Sequence, residues 1–347
     1  MKKVFLSLFL GVFLLVGAGC GDDRERLYIF NWGDFINPDV IEMFEEEYDI
    51  RIIYSTYESN EQMYAAIAVQ GLEYDIVVPS DYMIYRMIKE GLLRPLNMDN
   101  IPNIANLDST FLGLNFDPSN VYSLPYKWGT LGITYNRTMV SGPITGWADL
   151  WNETYANQIF MYDSERDAMA VALLKLGHSL NTTDPEAINA ARDLLIAQEP
   201  LVLSYVTDAV KDHMIAGEAA LALMYSGCAM FSMGHNPDLN YIIPEEGSNL
   251  WINGLAIPHN APNPEAAELF INFMLRPDIA ALNTNYIRFS TPNYVALSQG
   301  LIDSDLVAMA GFSVTPEEYA RLEVFVDLGE YRDLYTRAFI EVLNSFN

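Results

Sequence analysis

The chain has 347 residues, of which 51% are hydrophobic, so it can build sizeable cores and is not an intrinsically disordered chain. Acidic residues outnumber basic ones 46 to 19, giving a formal net charge of −27 at pH 7. A chain this negative repels phosphate backbones and anionic lipid surfaces. Nucleic acid is therefore not expected as a ligand, and a cationic partner is favoured.

The first twenty residues have the features of a bacterial export signal. Two lysines precede an apolar run over residues 4–16, and small residues lead to Cys20. The run is too short to span a membrane, which takes about 20 apolar residues. Because a cysteine after small residues resembles a lipoprotein processing site, we predict a lipoprotein signal peptide over residues 1–20 with lipid attached to Cys20.

Cys228 is the only other cysteine. If Cys20 carries lipid, Cys228 has no intramolecular disulfide partner. It lies in the apolar stretch 219–233, which predicts a buried small side chain rather than a catalytic thiol.

Strand and helix patterns alternate in the first third of the chain. Short apolar runs predict strands, and apolar residues at helical spacing predict helices. In order, we predict a strand at 27–30, a helix at 38–48, a strand at 50–54, a helix at 60–69, a strand at 76–79 and a helix at 82–90. This β-α-β order is typical of a mostly parallel sheet that is covered by helices on both faces.

The same alternation begins again in the middle third. The predicted strands lie at 131–135, 158–161, 220–225 and 255–258. The predicted helical segments lie at 147–150, 167–176, 187–198, 209–215, 265–275, 316–324 and 331–346. Since no Gly/Ser linker or low-complexity tract separates the two halves, we expect two α/β lobes joined by ordered crossovers.

Common catalytic and metal-binding signatures are missing from the sequence. The four histidines have no partner at ligand spacing, and neither a G-x-S-x-G motif nor a nucleotide-binding glycine loop occurs. We therefore predict a protein that is not an enzyme and carries no metal or cofactor. The enzymatic alternative is an exported hydrolase that uses a carboxylate pair from Asp163, Glu165 and Asp167. A purely adhesive lipoprotein is a further alternative.

Aromatic and polar residues follow the predicted strands. They lie in the segments 31–35, 80–82, 162–167, 225–227 and 251–253. Because open α/β sheets bind ligands at the carboxyl ends of their strands, we expect these segments to line one site. An aromatic face attracts an alkylammonium group by about 0.5–2 kcal/mol, and a carboxylate accepts charge-assisted hydrogen bonds from it. This chemistry suits a slender cation such as a diamine.

Each of these residues also has a structural alternative. Asp34 could cap the helix that begins near residue 37, and Asp163 or Ser164 could cap the helix near residue 167. The aromatic residues could serve packing alone: Trp32, Tyr82, Tyr225 and Trp251.

Seven motifs, in order and at compatible spacing, resemble the bacterial spermidine/putrescine-binding receptors of polyamine ABC importers. They are NWGDF, VVPSDY, DSERD with a later KLG, MYSG, LWINGLAIP, INFMLRPDIA and the STPN at residues 290–293. The resemblance runs from about Tyr28 to the C-terminus. It implies the α/β, two-lobed periplasmic-binding-protein fold of type II, in which each lobe is a mostly parallel sheet flanked by helices. Lobe 1 would comprise residues 27–129 plus 253–302, and lobe 2 residues 130–252 plus 303–347.

The resemblance also implies which residues line the ligand cleft between the lobes. The aromatic residues would be Trp32, Phe35, Tyr82, Tyr225, Trp251 and Phe289. The polar residues would be Asp34, Ser80, Ser164, Asp167, Thr207 and Asn253. By this resemblance, Ser164 and Asn253 each occupy a position where the spermidine receptors carry an aspartate. Asp163 could compensate for the carboxylate that is missing at Ser164.

The function implied by the resemblance is transport. The protein would be an extracytoplasmic, lipid-anchored monomer, in the periplasm or at the cell surface, that binds putrescine or spermidine and delivers it to a membrane-embedded ABC permease. The alternative within the same class is a receptor for an amino acid, a sugar or ferric ion. A carboxylate ligand would require an arginine in the cleft, for which Arg166 and Arg288 are candidates.

Overall fold

The computed structural model describes residues 24–346, so the predicted signal peptide and Cys20 lie outside the described residues. The strands are β1 Glu25–Trp32, β2 Ile50–Tyr57, β3 Ile76–Val77, β4 Ser123–Asn136, β5 Ile159–Tyr162, β6 Val202–Val206, β7 Leu221–Tyr225, β8 Leu239–Ile242, β9 Ser248–Ala256 and β10 Leu322–Glu323. The helices are α1 Pro38–Tyr48, α2 Asn60–Tyr64, α3 Asp81–Lys89, α4 Glu165–Lys175, α5 Pro185–Ala197, α6 Val210–Ala216, α7 Ser226–His235, α8 Pro264–Met274, α9 Pro277–Ile287, α10 Tyr294–Ser298, α11 Ser304–Val307, α12 Pro316–Tyr319 and α13 Arg332–Ser345.

The described strands form one mixed sheet with two parallel groups at its ends. Its order is β2-β1-β3-β9-β4-β7-β5-β6, with β10 on β9 and β8 on β4. β1 runs parallel to β2 and β3, and β5 runs parallel to β6 and β7. β4 and β9 pair antiparallel with each other between these groups. The long strand β4 therefore connects the two halves of the molecule.

Buried apolar side chains form a separate core around each parallel group. In the first core, Leu27 and Ile29 of β1 face one cluster and Phe30 faces another, since alternate residues of a strand point to opposite faces of the sheet. The second core is one cluster around β5, β7, α4 and α5. β4 contributes Leu124 to the first core and Ile133 to the second. The lobe boundaries predicted above stay a prediction.

Capping residues explain where helix α1 begins. Asn37 accepts a hydrogen bond from the Asp39 backbone N–H at 2.9 Å, and Pro38 occupies the first turn of α1. The suggestion that Asp34 caps this helix is therefore wrong. Ser164 does precede α4 as its capping residue, but its side chain makes no capping hydrogen bond.

Several predicted elements have different bounds in the structure. The predicted strand at 131–135 is the end of the longer strand β4, and the predicted strand at 255–258 overlaps only the last two residues of β9. Residues 251–253 lie within β9 rather than in a loop. Buried polar residues such as Lys127 and Thr130 interrupt the apolar pattern of β4, which made this strand look short.

Two predicted helices also differ from the structure. The predicted helix at 60–69 is α2 followed by a π-helical turn, Ala65–Val69. The predicted helix at 316–324 ends at Tyr319, because β10 then pairs with Ser248–Asn249 of β9. Pairing with a strand more than seventy residues away is not visible in local periodicity.

Cys228 is buried, as the sequence predicted. Burial raises the pKa of its thiol to about 12, so the side chain is a neutral thiol at physiological pH. It packs in the second core as a small apolar residue.

Candidate functional site

A row of four aromatic rings connects the two cores. The ring centroids of Phe35 and Phe289 are 5.2 Å apart, those of Phe289 and Trp251 are 5.7 Å apart, and those of Trp251 and Tyr225 are 6.0 Å apart. All three contacts are edge-on, which is a favoured geometry for aromatic pairs. Phe35 and Trp251 belong to the first core, whereas Phe289 and Tyr225 pack against both cores. The sequence prediction thus named four residues that the structure brings together.

The close approach of Phe289 to helix α7 depends on a glycine. A Cβ added at Gly227 would lie 2.2 Å from Cδ1 of Phe289, far inside contact distance. We expect Gly227→Ala to lower the free energy of unfolding by about 1–3 kcal/mol, because overpacking forces the ring out of place. Urea unfolding would measure this change.

Gly234 of the same helix provides the matched control. A Cβ there meets only the flexible guanidinium end of Arg288 at 3.2 Å, so Gly234→Ala should be neutral or slightly stabilising. Equal effects of the two substitutions would contradict the proposed packing role of Gly227.

Trp32 lies at the carboxyl end of β1 and packs against the first core. Its Nε1 donates a hydrogen bond to the Val78 carbonyl at 2.8 Å, and its ring centroid is 4.7 Å from that of Tyr57. Trp32 packs against the same cluster of the first core that contains Trp251. The Nε1 of Trp251, in contrast, is buried and has no hydrogen-bond partner among the described residues. The two indoles therefore belong to the same hydrophobic core.

A second group of predicted residues is joined by hydrogen bonds. Asn253 Nδ2 donates to Ser80 Oγ at 3.2 Å. Asn60 Nδ2 donates both to Ser80 Oγ at 3.1 Å and to the Tyr82 hydroxyl at 3.0 Å. The Tyr82 hydroxyl donates to Glu61 Oε1 at 3.1 Å. We call these five residues the Asn253–Glu61 network.

The sequence predictions omitted two members of this network, Asn60 and Glu61. Both belong to the first turn of α2, where polar and acidic residues are common for reasons of helix stability alone. No local signal distinguished them from ordinary residues of a helix N-terminus.

Asp167 is a buried carboxylate next to the aromatic row. Only 2% of its surface is exposed. Its Oδ2 accepts a hydrogen bond from the Tyr225 hydroxyl at 2.5 Å, whereas Oδ1 is buried without a hydrogen-bond partner in the described part of the chain. Burial raises the pKa of Asp167, although interactions with Ser164, Tyr225 and Arg166 lower it in part. A cation placed here would satisfy an otherwise unpaired oxygen.

A second buried carboxylate was not predicted from the sequence. Asp81, in the first turn of α3, accepts hydrogen bonds from the backbone N–H groups of Tyr82 at 2.7 Å and Ile252 at 3.1 Å. Burial raises the pKa of Asp81 to about 7. Asp81 thus ties the N-terminus of α3 to β9, next to two predicted site residues.

Arg166 is directed towards the C-terminal segment of the chain. Its guanidinium carbon lies 4.3 Å from the centroid of the Phe325 ring, and it donates hydrogen bonds to Asn181 Oδ1 at 3.0 Å and the Val326 carbonyl at 3.1 Å. These groups hold both terminal nitrogens of the guanidinium, whereas its Nε is buried without a hydrogen-bond partner among the described residues. A carboxylate ligand would have to displace these partners to bind both terminal nitrogens.

Three predicted site residues lie at the surface. They are Asp34, Asp163 and Thr207, and all are exposed. Between residues 24 and 346, none of them shares a side-chain hydrogen bond with the other predicted site residues. Their assignment to the ligand site stays a prediction.

The family model for bacterial extracellular solute-binding proteins matches residues 39–309. The chain belongs to this family. The spermidine/putrescine-binding periplasmic protein of Escherichia coli K12 is 39% identical over 300 residues, which cover 85% of this chain and 86% of that protein. These matches confirm the resemblance that the sequence motifs indicated. The family is one of solute-binding receptors.

Solved structures agree with this assignment. A structure from Listeria monocytogenes, named as a spermidine/putrescine ABC transporter, has a TM-score of 0.86 at 40% identity and covers 92% of this chain and 99% of that one. The structure of a Treponema pallidum lipoprotein has a TM-score of 0.82 at 25% identity, with coverage of 92% and 99%. The predicted two-lobed α/β fold is therefore confirmed.

Two further findings concern the whole described part of the chain. Over residues 24–346, no helix combines the length and apolar character needed to cross a membrane. In the same range, no three histidine, cysteine or acidic side chains converge as a metal-binding group.

Proposed function

We propose that this solute-binding protein binds the polyamines putrescine and spermidine between its two lobes and delivers them to an ABC importer, without chemical conversion. The observation that carries the proposal is the buried, unpaired Oδ1 of Asp167 beside the aromatic row. A desolvated carboxylate oxygen without a partner is costly unless a cation or hydrogen-bond donor reaches it. The names of the relatives point to the same class of ligand.

The arrangement suits an aliphatic cation in two ways. The rings of Phe35, Phe289, Trp251 and Tyr225 offer apolar faces to the methylene groups and attract the ammonium groups. Asp167 accepts a charge-assisted hydrogen bond from one ammonium group. Because the row involves both cores, a bound polyamine stabilises the closed arrangement of the lobes, and a membrane permease then recognises this closed form.

The location of the protein follows from its predicted leader. We propose that it is held outside the cytoplasm by lipid on Cys20 and acts as a monomer. The similarity to a Treponema pallidum lipoprotein supports this anchor. Mass spectrometry of the protein purified from membranes would detect the diacylglyceryl group on Cys20, and an unmodified N-terminus would contradict the proposal.

Titration calorimetry with putrescine and spermidine tests the proposed ligand class. Ser164 and Asn253 are neutral residues at two positions where, by the resemblance described above, spermidine receptors carry aspartate. Fewer carboxylates are therefore available for the third ammonium group of spermidine. We therefore expect putrescine to bind at least as tightly as spermidine. Spermidine binding ten times tighter, a difference of about 1.4 kcal/mol, would overturn the ranking. No binding of either amine would overturn the proposed function.

A further inference from the structure

Glu61 is the acidic end of the Asn253–Glu61 network. Its Oε1 accepts the hydroxyl of Tyr82 at 3.1 Å, and Asn60 connects Tyr82 to Ser80 through hydrogen bonds of 3.0 and 3.1 Å. The Asn60 Oδ1 also accepts the Ser80 backbone N–H at 3.1 Å, so the side-chain amide of Asn60 is oriented from both ends. A continuous set of hydrogen bonds thus runs from the buried strand β9 to the Glu61 carboxylate.

Tyr82 places this carboxylate between the two halves of the molecule. The Tyr82 ring packs against the first core and also against the second. Burial raises the pKa of Glu165, hydrogen bonding with Thr336 and the charge of Arg166 lower it in part, and the charge of Glu61 raises it. The carboxylates of Glu61 and Glu165 therefore lie within electrostatic range of each other. Glu165 is in the first turn of α4, two residues before Asp167. Glu61 therefore faces the helix that carries the buried carboxylate of the proposed site.

The charge of Glu61 is not neutralised within the protein. None of the ion pairs formed by the described residues includes Glu61 or Glu165. Glu61 is exposed, so it stays ionised at little cost and is accessible to a solute that enters between the lobes. The like charges of Glu61 and Glu165, on opposite halves of the molecule, repel each other, and a cation between them would relieve this repulsion.

We propose that Glu61 is a second ammonium-binding residue of the cleft and holds the end of the polyamine that Asp167 does not hold. This inference rests on the proposed function. One ammonium group of a diamine would contact Glu61 in the first half of the molecule, and the other would contact Asp167 in the second half. The diamine would thus bridge the two halves. A ligand with a single ammonium group would satisfy Asp167 but leave Glu61 unpaired.

Calorimetry on Glu61→Gln, with Glu58→Gln as the matched control, tests the inference. Both substitutions remove one exposed carboxylate from the same segment, and Glu58 has no side-chain hydrogen bond in the described part of the chain. We expect Glu61→Gln to weaken putrescine binding at least about tenfold and Glu58→Gln to change it less than about twofold. Unliganded melting temperatures of both variants should match that of the wild type, because the side chains are exposed.

A second ligand tests whether Glu61 contacts an ammonium group directly or acts only on lobe closure. This ligand is N-acetylputrescine, in which a neutral amide replaces one ammonium group. Glu61→Gln should lower the affinity for putrescine but leave that for N-acetylputrescine within about twofold of the wild-type value. If Glu61→Gln lost the same factor in affinity for both ligands, or bound putrescine more tightly than the wild type, the inference would be overturned. Glu61 would then act only on lobe closure. Wild-type protein that binds no polyamine would overturn the proposed function itself, whereas wild-type binding with an unchanged variant would overturn only this inference.

Discussion

Replacing Asp167 with asparagine is expected to weaken putrescine binding about 100-fold, which corresponds to about 2.7 kcal/mol. The carboxylate is buried, its Oδ2 accepts the Tyr225 hydroxyl, and its Oδ1 has no partner among the described residues. Asparagine has almost the same shape but no negative charge, so the loss would report the interaction with the ammonium group. Titration calorimetry at pH 7.5 would measure it.

The substitution should leave the fold intact. Burial raises the pKa of Asp167, so removing the charge relieves a cost in the unliganded protein. We therefore expect an unfolding free energy equal to or above that of the wild type. Asp212→Asn, at an exposed position in α6, is the control for a change of net charge. An unchanged dissociation constant for Asp167→Asn would mean that the ammonium group binds elsewhere.

The raised pKa of Asp167 also predicts the direction of the pH dependence. Only the ionised carboxylate attracts an ammonium group, and the amines of the ligand stay protonated at neutral and acidic pH. Polyamine affinity should therefore fall as the pH decreases through the pKa of Asp167, and binding should release protons in that range. Calorimetry in buffers of different ionisation enthalpy would detect this release.

Replacing Lys127 with methionine is expected to stabilise the protein by about 2–4 kcal/mol at pH 7. Lys127 lies on β4, only 1% of its surface is exposed, and its Nζ donates a hydrogen bond to Thr284 Oγ1 at 2.6 Å. None of the ion pairs of the described residues includes it. Burial lowers its pKa to about 7, which is the mark of a charge removed from water without a carboxylate partner.

The pH dependence of stability provides a second readout for Lys127. Between pH 7 and about 10.4 the unfolded lysine holds a proton that the folded one has lost, so the stability of the wild type should rise with pH across that window. The methionine variant should lack this rise. Urea unfolding at pH 7 and pH 9.5 would compare the two proteins, with the exposed Lys89→Met as control. A variant less stable than the wild type at pH 7 would show that the lysine contributes more through Thr284 than burial costs.

The sequence by itself determined the order of strands and helices in much of the chain. The apolar spacing of α1, with Pro38 at its start, specified a helix whose bounds agree with the structure. Strand β1 and helix α3 were likewise predicted within a few residues. These features depend on neighbours in the chain, namely helical periodicity, capping residues and short apolar runs.

The motifs also predicted much of the candidate site. The aromatic row and the bond between Tyr225 and the buried Asp167 join residues that the sequence analysis had named. The segments expected at strand ends contained Phe35, Asp167, Tyr225 and Trp251, because such strand ends meet at one edge of a sheet. Phe289 was named only through the resemblance of the motifs to a known family. The same reasoning could not show that Asp34 is exposed while Asp167 is buried.

Other features of the fold and of the candidate site were decided only by the tertiary structure. The full length of β4, the pairing of β10 with β9, and the connection of Asn60 and Glu61 to Tyr82 became visible in the folded chain. The pKa shifts of Asp81 and Lys127 likewise arise from burial. The physical reason is common to all of these features. Strand pairing, hydrogen bonds between distant segments and loss of water depend on which residues meet in space, and local periodicity does not contain that information.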